Sequence, residues 1–251
     1  MKNIFYLFTA IFASTLTATA QSASSRPWLL SQGAAAREAK RFTLQEWLEN
    51  KDRRALMDMW LSINTPTPYE LAIGGSLQNY TLETTPIGAT TTTQSYKTYT
   101  GDISAYARFV GITLEHINNA EESYNDVTGL FNLRVFGNSL QSSHLTLHYG
   151  LRTRTSNSGL YRLNQPFPAV TLQIYLMKYF GLQGQYRQYG NTSESFYGDS
   201  ASSELTYGAF IEYGLLRIFG DVYHEKQNSK LNNVETNYLR NGTRIGVKFF
   251  F

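Results

Sequence analysis

Glu204-Leu205-Thr206-Tyr207-Gly208-Ala209-Phe210-Ile211-Glu212-Tyr213-Gly214 alternates without a break. Leu205, Tyr207, Ala209, Ile211 and Tyr213 take one side, and Glu204, Thr206, Gly208, Phe210 and Glu212 the other. Successive side chains of an extended strand point to opposite faces, so a period of two over this length predicts a strand with one apolar face. The same design recurs in both directions along the chain. Leu145, Leu147, Tyr149 and Leu151 oppose His144, Thr146, His148 and Arg152, and Val170, Leu172, Ile174 and Leu176 oppose Thr171, Gln173 and Tyr175. Tyr69, Leu71, Ile73, Gly75 and Leu77 oppose Glu70, Ser76 and Gln78.

Composition narrows what such strands can build. Only 16% of the 251 residues are charged, against roughly 25% in an ordinary soluble domain. Mean hydropathy is nonetheless negative, at -0.32. Beyond the first 20 residues no apolar run approaches the ~20 needed for a membrane helix, so a polytopic helical membrane protein is excluded. The 18 Tyr, 15 Phe and 19 Gly suit a transmembrane barrel, whose apolar outer band is edged by aromatic girdles. Absence of Cys removes disulfides, thiolate metal sites and Cys nucleophiles. The net charge of +3 comes from scattered basic residues, so no nucleic-acid footprint is present.

Residues 1–20 have the form of a secretory signal peptide. Lys2 precedes an apolar stretch from Ile4 to Ala13, and Ala18-Thr19-Ala20 is a small-x-small cleavage site. Residues 21–68 form a separate segment that holds all three Trp. Within it Thr43 and Glu46 make a capping box, with Phe42 and Trp47 as its hydrophobic staple. A helix is expected over about 43–63, Trp60 near its end, stopped ahead of Pro66 and Pro68. Its uneven amphipathicity leaves three placements open: a plug in a lumen, a surface-lying cap, or a contact for a partner.

A pentapeptide repeat sets the strand number. Ala107–Gly111, Leu133–Gly137, Met177–Gly181 and Leu216–Gly220 run apolar, basic, apolar, Phe or Val, Gly, and Val247–Phe251 ends the chain on the same pattern. Read as the periplasmic ends of five downward strands, they imply ten strands within 69–251. Polar extracellular loops are then expected at 84–95, 117–126, 153–165, 190–202 and 228–237. Eight strands would leave 69–106 unexplained, and twelve would require shorter strands than the ~10 residues a tilted crossing needs. The fold class is therefore all-β, a transmembrane antiparallel barrel of about ten strands, with an N-terminal helical segment.

The last strand carries the most specific motif. Phe251 is terminal, with Phe249, Val247 and Ile245 at alternate positions behind it. This resembles the C-terminal signal of bacterial outer-membrane β-barrel proteins. The resemblance implies export to the outer membrane, passage with periplasmic chaperones, insertion by the barrel assembly machinery, and contact with outer-membrane lipids including lipopolysaccharide. It names no extracellular partner.

Alternation places Glu70, Asp102, Arg108, Glu115 and Arg134 inward. It does the same for His144, His148, Arg152, Arg187 and Glu204, and for Glu212, Asp221, Arg244 and Lys248. Both signs interleave, and a narrow barrel fills its interior with side chains. The leading expectation is a salt-bridged, filled lumen in a non-enzymatic structural or surface-interaction protein. The alternative is a small passive pore plugged by the N-terminal helix. Outer-membrane hydrolases use Asp and Asp–His pairs, or a Ser beside a His. Ser143-His144 lies near a periplasmic turn, and Asp221 and His224 fall on opposite faces. No catalytic residue is assigned. His144 and His148 share a face without an evident third ligand, so no metal or other cofactor is expected.

Overall fold

The computed structural model describes residues 69–251 except 89, 195, 197 and 233. The signal peptide and the helix about 43–63, with Thr43, Glu46, Trp47 and Trp60, lie outside the described residues. Ten antiparallel strands follow one another: β1 (Tyr69–Pro86), β2 (Thr92–Ala107), β3 (Val110–Asn119), β4 (Tyr124–Phe136), β5 (His144–Ser156), β6 (Arg162–Tyr175), β7 (Phe180–Glu194), β8 (Gly198–Tyr213), β9 (Leu216–Leu231) and β10 (Val234–Phe250). Each pairs with its sequence neighbours, and β1 pairs with β10 from Ala72↔Phe250 to Pro86↔Thr236, closing the barrel. Closure leaves no free sheet edge at membrane depth, the condition for a sheet to cross hydrocarbon.

The outward side chains divide the wall into two zones. On β1, Ile73 and Leu77 face out near the rim where β1 starts and β10 ends, the terminal rim, whereas Asn79, Thr81, Glu83 and Thr85 follow on the same face. On β9, outward Leu216, Ile218 and Val222 give way to His224, Lys226, Asn228 and Lys230. The apolar belt thus occupies the half nearest the termini, and the other half stands clear of it. Aromatic rings edge both borders: Tyr69, Tyr179, Tyr213, Phe249 and Phe251 at the terminal rim, and Tyr99, Tyr149, Tyr186 and Tyr207 where the belt ends. Ring-bearing amphipathic side chains favour those two interfaces.

Two sequence expectations change here. The five polar segments expected as long loops are mostly strand, and turns of two to five residues join them. Above the belt the outward face turns polar and the inward face mixes ion pairs with buried Tyr80, Leu82, Leu163 and Tyr223, so the belt's pattern of apolar outside and polar inside is lost although backbone pairing continues. The pentapeptide copies do share the terminal rim, but only Leu133–Gly137 and Val247–Phe251 close downward strands. Ala107–Gly111 and Met177–Gly181 straddle turns, and Leu216–Gly220 opens the ascending β9.

Candidate functional site

The barrel interior holds nearly all of the ionisable side chains that the fold removes from solvent, and they lie in three tiers. At the terminal mouth, the connection between β4 and β5, residues 137–143, folds inward instead of turning outside. Gly137 permits this with φ of 94°, where an added Cβ would lie 2.5 Å from the Ser143 carbonyl oxygen. The Glu70 carboxylate accepts the Leu140 N–H at 2.7 Å and the Arg134 guanidinium at 3.1 and 3.3 Å. Gln141 Nε2 donates to Glu212 at 2.9 Å and to the Gly214 carbonyl at 2.6 Å. Arg217 ties the Leu140 carbonyl, Gln173 and Glu212 together. The loop is a built-in stopper.

The middle tier is bridged wall to wall. Arg187 of β7 donates both Nη groups to Glu115 of β3 at 2.8 and 2.7 Å. Those strands are four places apart in the ring of ten, so the fork-to-fork pair crosses the lumen. Lys248–Asp102 and Arg244–Asp221, both at 2.7 Å, line the wall beside it. His148 is held between Asn132 and Thr171, and His144 Nδ1 lies 2.9 Å from the Ser142 carbonyl. A cavity of about 180 Å³ runs past these groups, from Leu140 and Arg217 at the stopper to Asp126, Arg152 and Arg154 above.

The upper tier centres on Glu225 of β9, which is fully buried. Arg152 reaches it from across the barrel at 2.9 Å, Arg240 at 3.3 Å and Arg154 at 3.8 Å. Arg154 also grips Asp126 at 2.8 Å. Glu122, in the turn after β3, leans over the lumen to Arg240 and to the Tyr80 hydroxyl. Each inward Arg or Lys among the described residues has a carboxylate partner. Buried charges persist when paired and hydrogen-bonded in this way.

Of the residues expected inward, Glu70, Arg134, His144, Arg152, Arg187, Glu204, Glu212 and Asp221 are buried inside, and Asp102, Glu115, His148, Arg244 and Lys248 line the cavity. Arg108 is a correction. It occupies the two-residue turn after β2, exposed with φ of 59°, and only its carbonyl takes part, accepting from Arg134 at 3.0 Å. Sequence reading missed Glu122, Asp126, Arg154, Arg217, Glu225 and Arg240. Continuing the parity of Thr128, Arg152, Asp221 and Arg244 by two or four positions would have found Asp126, Arg154, Glu225 and Arg240. Ile245, Val247, Phe249 and Phe251 face outward.

Among the described residues Thr171 Oγ1 lies 2.9 Å from His148 Nε2, whose Nδ1 meets Asn132 Oδ1 at 2.7 Å, while the Ser and His pairs singled out in the sequence do not meet. Ser142 Oγ donates to the Ser139 carbonyl, and His224 lies outside, stacked on Tyr207 and bonded to Asn241. Among the described residues no group of three or more His, Asp or Glu is placed to hold a metal.

A closed antiparallel barrel with an apolar belt, two aromatic girdles and a charged interior now stands complete. The architecture is that of a bacterial outer-membrane β-barrel. No family model matches the chain, and no curated protein matches it. Among solved structures, the barrel is similar to the KdgM porin, at 14% identity and a TM-score of 0.34 over 69% of this chain and 98% of that one. The translocator domain of autotransporter NalP from Neisseria meningitidis matches at 13% identity and a TM-score of 0.33, covering 80% and 95%. Ail, the attachment invasion locus protein of Yersinia pestis, matches at 10% and 0.26, covering 74% and 100%.

Proposed function

We propose that the protein is a non-conducting, non-enzymatic outer-membrane barrel whose working surface is the half that projects beyond the apolar belt. The observation that carries this reading is the triple obstruction of the lumen. The 137–143 stopper, the Glu115–Arg187 bridge and the Glu225 hub each lie across the path. A solute would have to separate buried ion pairs at every tier. What remains free is the projecting outer surface, polar on its walls and carrying Ile87, Leu160, Phe196 and Val234 on four turn tips or their flanks. Exposed loops held by a rigid scaffold are where binding residues concentrate.

Assembly fits the same reading. Outward Ile245, Val247, Phe249 and Phe251 would be read by the barrel assembly machinery after delivery by periplasmic chaperones, and lipopolysaccharide would surround the belt's outer edge. β1 starts at the terminal rim, so a periplasmic cap over the stopper is the placement proposed for the helix expected over 43–63.

The test is single-channel recording of the refolded mature protein in a planar bilayer, beside a version lacking residues 21–63. Silence from both folded proteins is the expected result. Steady conductance from the full chain would overturn the reading and make the barrel a pore. Conductance that arises only on deletion would make the N-terminal helix the plug.

A further inference from the structure

The rim of the projecting half climbs round the barrel and drops once. Strand length grows from 10 residues in β3 through 13, 13, 14, 15, 16, 16 and 17 in β4 to β10, and reaches 18 in β1. β2, with 16 residues, then stands directly beside the shortest strand. Its pairing with β1 runs on to Thr84↔Thr92, but its pairing with β3 stops at Tyr99↔Asn118. The drop has a local cause. Asn119 Oδ1 accepts the Glu122 N–H at 2.8 Å and Ser123 adopts φ of 60°, which turns the chain back into β4. β3 ends there, and β2 continues into water with only β1 beside it.

Backbone geometry decides which groups the drop leaves open. In an antiparallel sheet the N–H and C=O of one residue point to the same side, and those of its neighbours to the other. The Lys97 N–H donates to the Glu121 carboxylate at 2.7 Å, in the turn after β3, and so points away from β1. By alternation Thr93 and Ser95 point the same way. Both are exposed, and among the described residues no strand lies abreast of them on that side. Glu121 therefore ties down the foot of the edge, and two open rungs stand above it. The exposed Lys97 side chain lies on the outer face of the same edge, without an ion-pair partner among the described residues.

A strand edge open to water is a template for another strand. Residues 21–68 join β1 at the terminal rim, the far end of the barrel. A second copy in the same membrane would be related by a two-fold axis along the membrane normal. Strands tilted by about 35–45° would then cross at about 70–90°, far from the roughly 20–25° between ladder neighbours. We infer that the open edge of β2 binds an extended peptide segment of an extracellular protein by strand addition. The segment pairs main chain to main chain with Thr93 and Ser95 and sets an acidic side chain against Lys97. This rests on the projecting half being the working surface, and it names how that surface engages a partner.

Random decapeptides displayed on phage are selected on the refolded mature protein in phosphatidylcholine nanodiscs, and the enriched peptide is synthesised. Residue-resolved hydrogen exchange is expected to show faster amides at Thr93 and Ser95 than at Gln94 and Tyr96. The peptide should slow the fast pair. N-methylation at alternate peptide positions should abolish binding, and at the intervening positions should leave it unchanged, as a ladder requires. Ser95→Pro removes one open donor at a water-facing edge, where proline is tolerated. It should lose binding yet keep the heat-modifiable band, and Ser95→Ala should bind normally. Slow exchange at Ser95 in the protein alone would overturn the inference, as would a peptide that tolerates N-methylation throughout or a selection that enriches nothing. Equal binding by Lys97→Glu would overturn the role of the acidic side chain. A peptide that protects other residues of the projecting half and ignores Ser95→Pro would overturn the edge while leaving that half as the working surface. Steady conductance in the bilayer recording would instead mark a failure of the reading above.

Discussion

Glu225 shows how a single side chain can serve both strength and closure. Its two oxygens face Arg152, Arg154 and Arg240 with no solvent contact. Glu225→Gln keeps the shape but leaves three guanidinium groups short of one negative charge, and removing one partner of a buried pair typically costs about 3–5 kcal/mol. The expected outcome is a lower urea midpoint for the barrel refolded in lipid vesicles, and an unchanged midpoint would show that the hub adds nothing to stability. Gly208 makes a different demand. A Cβ there would lie 2.0 Å from the Gly220 carbonyl oxygen and 2.6 Å from Asp221, so Gly208→Ala must push β8 and β9 apart. That variant should lose the heat-modifiable band of the folded barrel on a cold gel, while Gly220→Ala, where a Cβ meets open space, should keep it.

At the scale of elements, the stopper and the bridges block independently. Replacing residues 137–143 by a two-residue turn opens the terminal mouth but leaves the Arg187–Glu115 crossing intact. The shortened protein is expected to remain silent in a planar bilayer, and only its combination with Arg152→Ala and Arg187→Ala to conduct. Current from the loop variant alone would show that the upper tiers are not barriers. The strands in the belt were legible because lipid outside and polar contacts inside impose opposite demands on alternate residues, as in Leu205–Tyr213. Beyond the belt that contrast disappears: Asn79, Thr81 and Glu83 face water on a wall that is still hydrogen-bonded, and so read as loop. Asp126 and Arg154 were hidden for that reason, in stretches read as connections. Arg217 is hidden for another reason: its pentapeptide matches copies that close strands, whereas here it opens β9. The stopper could not be read at all, since Asn138-Ser139-Leu140-Gln141 has the composition of any turn and is made special only by Glu70 and Glu212 waiting inside.

The whole molecule is asymmetric from end to end, which fixes how it sits. At the terminal rim the strands stop beside the apolar belt, and at the opposite end they run on well past it with polar outward faces. Barrels of this type extend on the extracellular side, so the projecting half is expected outside the cell. Gly88 and Gly214 both have positive φ and open surroundings, which suits them to a short epitope insertion. An epitope after Gly88 should be stained on intact cells and one after Gly214 only after the outer membrane is broken; the reverse pattern would invert the orientation. The closing of β1 on β10 has one more consequence. The last strand brings Arg240, Arg244 and Lys248, and their carboxylate partners lie on β2, on β9 and in the turn after β3. Until the end of the chain arrives, the growing sheet holds an acidic surplus on the face that is to become its interior. A truncated chain would thus carry the mark of its own incompleteness as an electrical imbalance, most of which the last strand removes as it shuts the barrel.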